Sequence, residues 1–399
     1  MSKHPTLKIE FISIMALLMS LVALSIDGIL PALAIIGTDL GVNDNKDHQQ
    51  LITMIFLGLG IGQLIFGPIS DSFGRKPIIY IGFLVFAIAS IICVSTDSFE
   101  VLITGRVLQG IGLASPRTLS IAMVRDSYQG DYMAKVMSFI VMIFILIPII
   151  APTLGQFLML TYNWQAIFNV QLLLGTLVII WFWKRQPETL PFSKRTAFKL
   201  AVLISAFKEF FNHKQTIAFT LISGFITGSF MVYLSSAQHI FEIQYGLGKD
   251  FPLIFAGLAV GVGFATYLNG LFVVKVGMKR ITLISLTGYS ISSLMYVILF
   301  INKLNPDLWI LLFFFGMQFT AIGFLFGNLR ALAMQHIGHI AGIGAAINGF
   351  ISTVMGVIIA SFIGAYISTT VWPLFLGFTF CGFASMGIFI LNKPLQRTI

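Results

Sequence analysis

Long apolar runs separated by short polar stretches repeat from one end of the chain to the other. A helix needs about 20 apolar residues to cross the hydrocarbon core of a bilayer. Runs of that order can be drawn over residues 11–36, 50–70, 77–95, 99–123, 136–160, 165–183, 216–240, 251–274, 281–301, 308–330, 341–368 and 372–391. Most are apolar on every side, so no amphipathic stripe marks a soluble fold. Irregular backbone in lipid would leave N–H and C=O groups unpaired, so each run is predicted to be an α-helix. Residues 184–215 interrupt the rhythm with Lys184, Arg185, Lys194, Arg195, Lys199, Lys208 and Lys214, leaving six runs on either side. The predicted architecture is an all-α polytopic membrane protein with 12 transmembrane helices. It comprises two pseudo-symmetric six-helix bundles, 1–183 and 216–399, joined by a basic cytoplasmic linker over 184–215. Part of that linker is expected to lie as an amphipathic piece on the membrane surface. Gly67 and Gly74 recur at the same spacing as Gly270 and Gly277, one pair in each half.

The first run follows Lys3 and Lys8 and contains Ala32-Leu33-Ala34, which mimics a cleavage site. It is longer than the 7–15 apolar residues of a signal peptide and carries Asp27, so it is expected to stay as the first span. Composition sharpens the membrane reading: 57% of residues are hydrophobic and 10% charged, against about 25% charged in soluble domains. The net charge of +9 does not point to nucleic acid. With both termini in the cytoplasm, only Lys46, Lys249 and Lys303 fall outside, and only Arg106 and Arg117 within spans. This is a positive-inside pattern, and anionic lipid headgroups are partner enough for the basic loops. Cys93 and Cys381 lie in apolar runs and read as buried thiols. His336 and His339 read as a solvated loop rather than as metal ligands, and no metal is expected.

Charges inside a bilayer cost at least about 2.5–3.5 kcal/mol each at mid-depth, so each needs a reason. Asp27 in the first run and Arg106 in the fourth fall at similar depth. They are expected to pair across a central cavity. Desolvation and a nearby cation pull a carboxyl in opposite directions, and their balance can leave it titratable, the property a proton-coupling group needs. A static structural pair is the competing reading. Arg117, eleven residues beyond Arg106, returns to nearly the same helix face. It either snorkels to the cytoplasmic interface or lines the cavity, where it would favour anionic or zwitterionic cargo.

Gly67-Pro68-Ile69-Ser70-Asp71-Ser72-Phe73-Gly74-Arg75-Lys76 joins the second and third runs. Its glycines are expected to allow close helix approach. Asp71 is placed to face the positive end of a helix or to pair with Arg75 and Lys76, forming a latch that breaks when the halves rock. Pro148, Ala151, Pro152 and Gly155 in the fifth run predict a bent helix. Gln109, Ser115, Tyr233, Gln238, Gln318 and Asn328 are candidates to line a substrate path, with Asp27 and Arg117. No GxxxxGK[ST] loop supports direct ATP drive, and no nucleophile or metal constellation supports an enzyme.

These stretches resemble a known family. Gly67 to Lys76 resembles the cytoplasmic signature of major facilitator transporters. Leu102-Ile103-Thr104-Gly105-Arg106-Val107-Leu108-Gln109-Gly110-Ile111-Gly112 and Ala151-Pro152-Thr153-Leu154-Gly155 resemble the motifs of proton antiporters. Ile26 to Leu33, Val124-Arg125-Asp126-Ser127-Tyr128, Asn163-Trp164-Gln165-Ala166-Ile167-Phe168 and Ala341-Gly342 with Ala345-Ala346 are similar to the Bcr/CflA drug-resistance group. The departures are Gly28-Ile29, Trp164-Gln165, Gln156, Val274 and Arg117. The resemblance implies a monomer in the cytoplasmic membrane that exports drug-like small molecules against protons. It implies no cofactor beyond the proton gradient. Asp27 and Arg106 would couple, and Asp71 and Arg75 would latch. The alternative is a dedicated exporter of an endogenous, anionic metabolite such as a siderophore, which Arg117 motivates.

Overall fold

The computed structural model describes residues 9–42, 44–128, 130–195, 200–301, 304–337 and 340–392. Lys3, Lys8, Lys199, Lys303, His339 and both chain ends lie outside these. Among the described residues every regular element is helical. The first half holds α1 (Ile9–Asp27), a 3-10 turn (Leu30–Ala32), α2 (Leu33–Asp39), α3 (Asn45–Phe73), α4 (Arg75–Ser95), α5 (Phe99–Ser127), α6 (Gly130–Thr161) and α7 (Gln165–Arg185). The second holds α8 (Leu200–Asn212), α9 (Lys214–Gln238) with a π turn (His239–Gln244), α10 (Phe251–Val276), α11 (Met278–Leu299), α12 (Leu308–Met334), α13 (Ala341–Gly364) and α14 (Trp372–Leu391). Among the described residues, eleven helices are long and apolar enough to cross a membrane. The apolar stretch Leu146–Thr161 of α6 stands where the fifth span is predicted. The protein is a multi-pass membrane protein.

The chain forms two compact units. One comprises residues 1–199 with 250–256, the other 200–249 with 257–399. In the first unit, close backbone approach organises the packing. A methyl group at Gly58 would stand 2.0 Å from the Val107 carbonyl, and one at Gly110 would stand 2.1 Å from that of Ile55. Thus α3 and α5 touch through glycine, as helices without a hydrophobic driving force between them must. Gly82 and Gly112 do the same for α4 and α5. In the second unit α9 packs on α13, with Met355 over Gly224 and Ile359 over Gly228.

Three boundaries depart from the sequence expectation. The first span is not continuous: α1 ends at Asp27, and a 3-10 turn carries the chain through Pro31. Proline has no N–H to continue the ladder and pushes its predecessor out of the helical region. The seventh span does not stop near 240 but widens into a π turn. Helix α12 runs to Met334, so Arg330, expected at the helix edge, lies inside it. The predicted glycine echo has a geometric counterpart. Gly74 and Gly277 take positive φ of 101° and 89°, and each ends one helix and starts the next. Close approach at Gly67 is not found: none of the described residues lies within 4 Å of where its side chain would be, and the same holds for Gly270. Helix α3 therefore has no neighbouring backbone at that point to need a glycine.

Candidate functional site

Asp27 closes α1, whose last-turn carbonyls are open to donors from outside the helix, as at any helix end. Side chains from two neighbouring helices reach them. The Leu24 carbonyl accepts from the Gly28 amide at 3.0 Å and from Gln171 Nε2 of α7 at 3.3 Å. The Ser25 carbonyl accepts from Arg106 Nη2 of α5 at 3.0 Å. A third helix, α6, holds the residue after the acid. A methyl at Gly155 would stand 1.9 Å from the Gly28 carbonyl, so α6 and the break are in backbone contact. Asp27 is 5% exposed. The break is thus held from three sides within one residue of the acid or three before it.

The expected ion pair between Asp27 and Arg106 is not formed. Arg106 is fully buried, and its guanidinium donates to the carbonyls of Leu51 at 2.9 Å and Ser25 at 3.0 Å and to Gln109 Oε1 at 2.9 Å. It also lies over the Phe168 ring at 5.8 Å. Backbone carbonyls are oxygen acceptors as good as a carboxylate in geometry and cost nothing to bury as a charge. With Gln109 they take three of the five guanidinium donors without Asp27. Gln109 passes the chain on, donating to Ser90 Oγ at 2.8 Å. Arg106 therefore ties α1, α3 and α5 together beside the acid.

Ser115, Gln318 and Asn328 bond to neighbouring helices, whereas Tyr233 packs on aromatic rings and Gln238 bonds within its own segment. Ser115 Oγ donates to the Ile78 carbonyl at 2.8 Å, and Gln318 Nε2 to the Tyr289 carbonyl at 3.2 Å and Ser292 Oγ at 2.8 Å. Asn328 Nδ2 donates to Asn269 Oδ1 at 2.8 Å. Tyr233 packs its ring on Phe315 and Phe319. Gln238 Nε2 donates to Glu242 Oε2 at 2.7 Å. Arg117 is half-buried. Pro148 and Pro152 sit within a continuous α6, and Ala151, Pro152 and Gly155 are buried.

The 67–76 segment forms a closed charge cluster. Gly74 is required there: beyond its positive φ, a methyl would meet Glu188 Oε2 at 2.7 Å and Arg195 Nη2 at 2.8 Å. Arg75, 3% exposed, pairs with Asp71 at 2.6 Å and with Asp126 of α5 at 3.0 Å, and Nη1 also donates to Ser70 Oγ at 2.6 Å. Sequence reasoning missed Glu188. Its carboxylate accepts from the amides of Arg75 at 3.1 Å and Lys76 at 3.0 Å, capping the start of α4. A carboxylate there satisfies orphan N–H groups and meets the positive helix end. The Lys76 ammonium donates to the Trp183 carbonyl at 3.1 Å rather than to Asp71.

The sequence profile of the Major Facilitator Superfamily matches residues 15–360. A bicyclomycin resistance protein homolog of Haemophilus influenzae is 29% identical over 367 residues, 91% of each chain. The multidrug resistance protein MdtL of Klebsiella pneumoniae is 34% identical over 153 residues, 38% of this chain and 39% of that one. A D-xylose–proton symporter superposes with a TM-score of 0.72 over 94% of this chain and 95% of its own, at 16% identity, which speaks to fold alone. Helical architecture, paired glycine turns and superfamily profile agree: this chain belongs to the Major Facilitator Superfamily, resembles its drug-resistance group, and is a transporter rather than an enzyme.

Proposed function

We propose that this protein exports small organic molecules from the cytoplasm in exchange for protons, by alternating access. On this reading it works as a monomer in the cytoplasmic membrane with both termini inside. The observation that carries the reading is Asp27. It is a buried carboxyl at a helix break, with no ion pair to the one guanidinium placed beside it. A buried carboxyl without a counter-ion is expensive to keep charged. Such a group exchanges a proton when water reaches it, and it can do so once per transport cycle. Arg106 then acts as scaffold for the break rather than as a partner that competes for the proton. The relatives named for bicyclomycin and multidrug resistance support a drug-like cargo.

The test is efflux from cells and uptake into inside-out vesicles under an imposed pH gradient. Bicyclomycin comes first, then a panel of cationic, neutral and anionic dyes. Asp27→Asn should remain folded in the membrane and lose pH-driven transport of any compound the parent moves. Retention of the parent's rate in Asp27→Asn vesicles would remove the acid from the mechanism.

A further inference from the structure

Gln171 sits a third of the way along α7 and is 1% exposed. Its amide is placed against the α1 break. Nε2 donates to the Leu24 carbonyl at 3.3 Å, and it stands 3.5 Å from where a side chain on Gly28 would begin. Its Oε1 is buried and has no donor among the described residues. Buried acceptors are almost always paired, so an orphan of this kind calls for an explanation. The neighbouring groups leave few donors. Arg106 places three of its five N–H donors on Leu51, Ser25 and Gln109, and none of them reaches Gln171 Oε1. Ser25 Oγ is itself buried without a partner, so it is not bonded to the amide.

The charged and titratable groups on the helices packed around α1 are otherwise distant in sequence from this level. On α6 they are Asp131, Tyr132 and Lys135 near its start, and on α7 Lys184 and Arg185 at its end. On α5 they are Glu100, Arg117, Arg125 and Asp126 besides Arg106. On α1 itself, Glu10 in the first turn is held by Arg185 at 2.6 Å. Asp39 of α2 takes the Trp164 Nε1 hydrogen bond at 3.0 Å. Of these groups Asp27 stands nearest in sequence to Leu24 and Gly28, where the Gln171 amide lies, and it has a donor only when protonated.

We propose that Gln171 accepts a hydrogen bond from the protonated carboxyl of Asp27 and is thereby the positioning residue that sets the pH at which this acid binds and releases its proton. The inference rests on reading Asp27 as the coupling acid. The acid form supplies the donor that Oε1 lacks. The carboxylate form sets acceptor against acceptor and loses that bond. The same amide, through Nε2, holds the last turn of α1 on which Asp27 stands. One side chain therefore reads the protonation state and fixes the backbone that carries it.

The test needs no cargo, because the proton is the probe. The purified full-length protein is titrated while the carbonyl stretch of its protonated carboxylic acids is followed by infrared difference spectroscopy. The band of Asp27 is the one that Asp27→Asn removes. Gln171→Met keeps length and volume but has no acceptor oxygen. Without the acceptor the protonated form is weakened, so the acid gives up its proton at lower pH. The midpoint should fall by about 0.5–1 pH unit. Gln171→Asn keeps the amide but withdraws it by one methylene, and should move the midpoint the same way by less. It also serves should Gln171→Met fold poorly. A midpoint within about 0.2 unit of the parent in both variants overturns the proposal, since that is far below the value of one hydrogen bond. A rise in the midpoint, or a band that survives in Asp27→Asn, overturns it too. If pH-driven efflux persists in Asp27→Asn the export mechanism fails. If efflux is lost but the Gln171 midpoints do not move, only the role of Gln171 fails.

Discussion

The leading spans of the two units, Ile9–Asp39 and Lys214–Gln244, have the same length of 31 residues, and 72% of the apolar 18-residue stretch is buried in each, against 33–61% in the other spans. Both lose regular α geometry toward the far end, and both carry an acid there. The two interruptions are built differently. In α1 the break is written in the sequence: Gly28 and Pro31 stop the ladder, and Arg106, Gln171 and Gly155 from three helices grip the residues around Asp27. In α9 the π turn contains neither glycine nor proline, and Gln238 bonds Glu242 one turn along the same chain. The rest of that turn is tied to loops: Gln244 Nε2 donates to the Ser368 carbonyl at 3.1 Å, and Asn305 Nδ2 to Gln244 Oε1 at 2.9 Å. An interruption held by neighbours keeps its acid in a fixed environment. In the π turn the loops hold Gln244, and the acid itself is held by Gln238 of its own helix.

On that contrast, the largest cost comes from removing the grip on α1. Arg106→Met keeps much of the buried volume and leaves the carbonyls of Leu51 and Ser25 and Gln109 Oε1 without their donor. Leu51 keeps its partner in the α3 ladder, so two acceptors are orphaned; at about 1–3 kcal/mol each a loss of about 2–5 kcal/mol is expected. Thermal unfolding in detergent should show it as a large fall in Tm. Arg106→Lys should recover only part of it, since a point charge cannot span three acceptors. An unchanged Tm for Arg106→Met would mean that the Ser25 carbonyl and Gln109 Oε1 find other donors.

Gly155→Val should come next. A Cβ there stands 1.9 Å from the Gly28 carbonyl, so either α6 or the break must move. Overpacking of this kind costs about 1–3 kcal/mol. Because the strain falls one residue from Asp27, transport should drop by more than the loss of folded protein accounts for. Efflux normalised to folded protein measures that. Equal losses of efflux and folded protein would show that the contact is packing alone.

How much of this is legible in the chain depends on the physics each feature uses. The Gly74 and Gly277 turns are visible as a repeated spacing, because only glycine tolerates such φ without strain. The break after Asp27 is marked as plainly by Gly28 and Pro31, yet the apolar run continues straight through to 36. Hydropathy reports solvent preference and is blind to the missing N–H of a proline. Charge alone suggests the pairing of Asp27 with Arg106. The backbone carbonyls that Arg106 uses instead have no sequence signature, since every residue has one. Glu188 is beyond reach for another reason: it caps α4 from 113 residues away, and cap rules see only the residues beside a helix start.

The smallest effect should come from the second acid. Glu242→Gln removes a charge at the π turn of α9 and keeps an amide oxygen where Gln238 Nε2 can still donate, so little hydrogen bonding is lost. Trading a charged acceptor for a neutral one here should cost below about 1 kcal/mol. Because Glu242 is half-buried, water shares in solvating either form. The midpoint of pH-driven efflux should therefore stay where the parent has it, while Asp27→Asn abolishes the pH dependence altogether. A Glu242→Gln midpoint displaced by about one unit, the size of a lost charged hydrogen bond, would break the contrast. The two units would then each carry a coupling acid, and the resemblance between their leading spans would extend from geometry to proton chemistry.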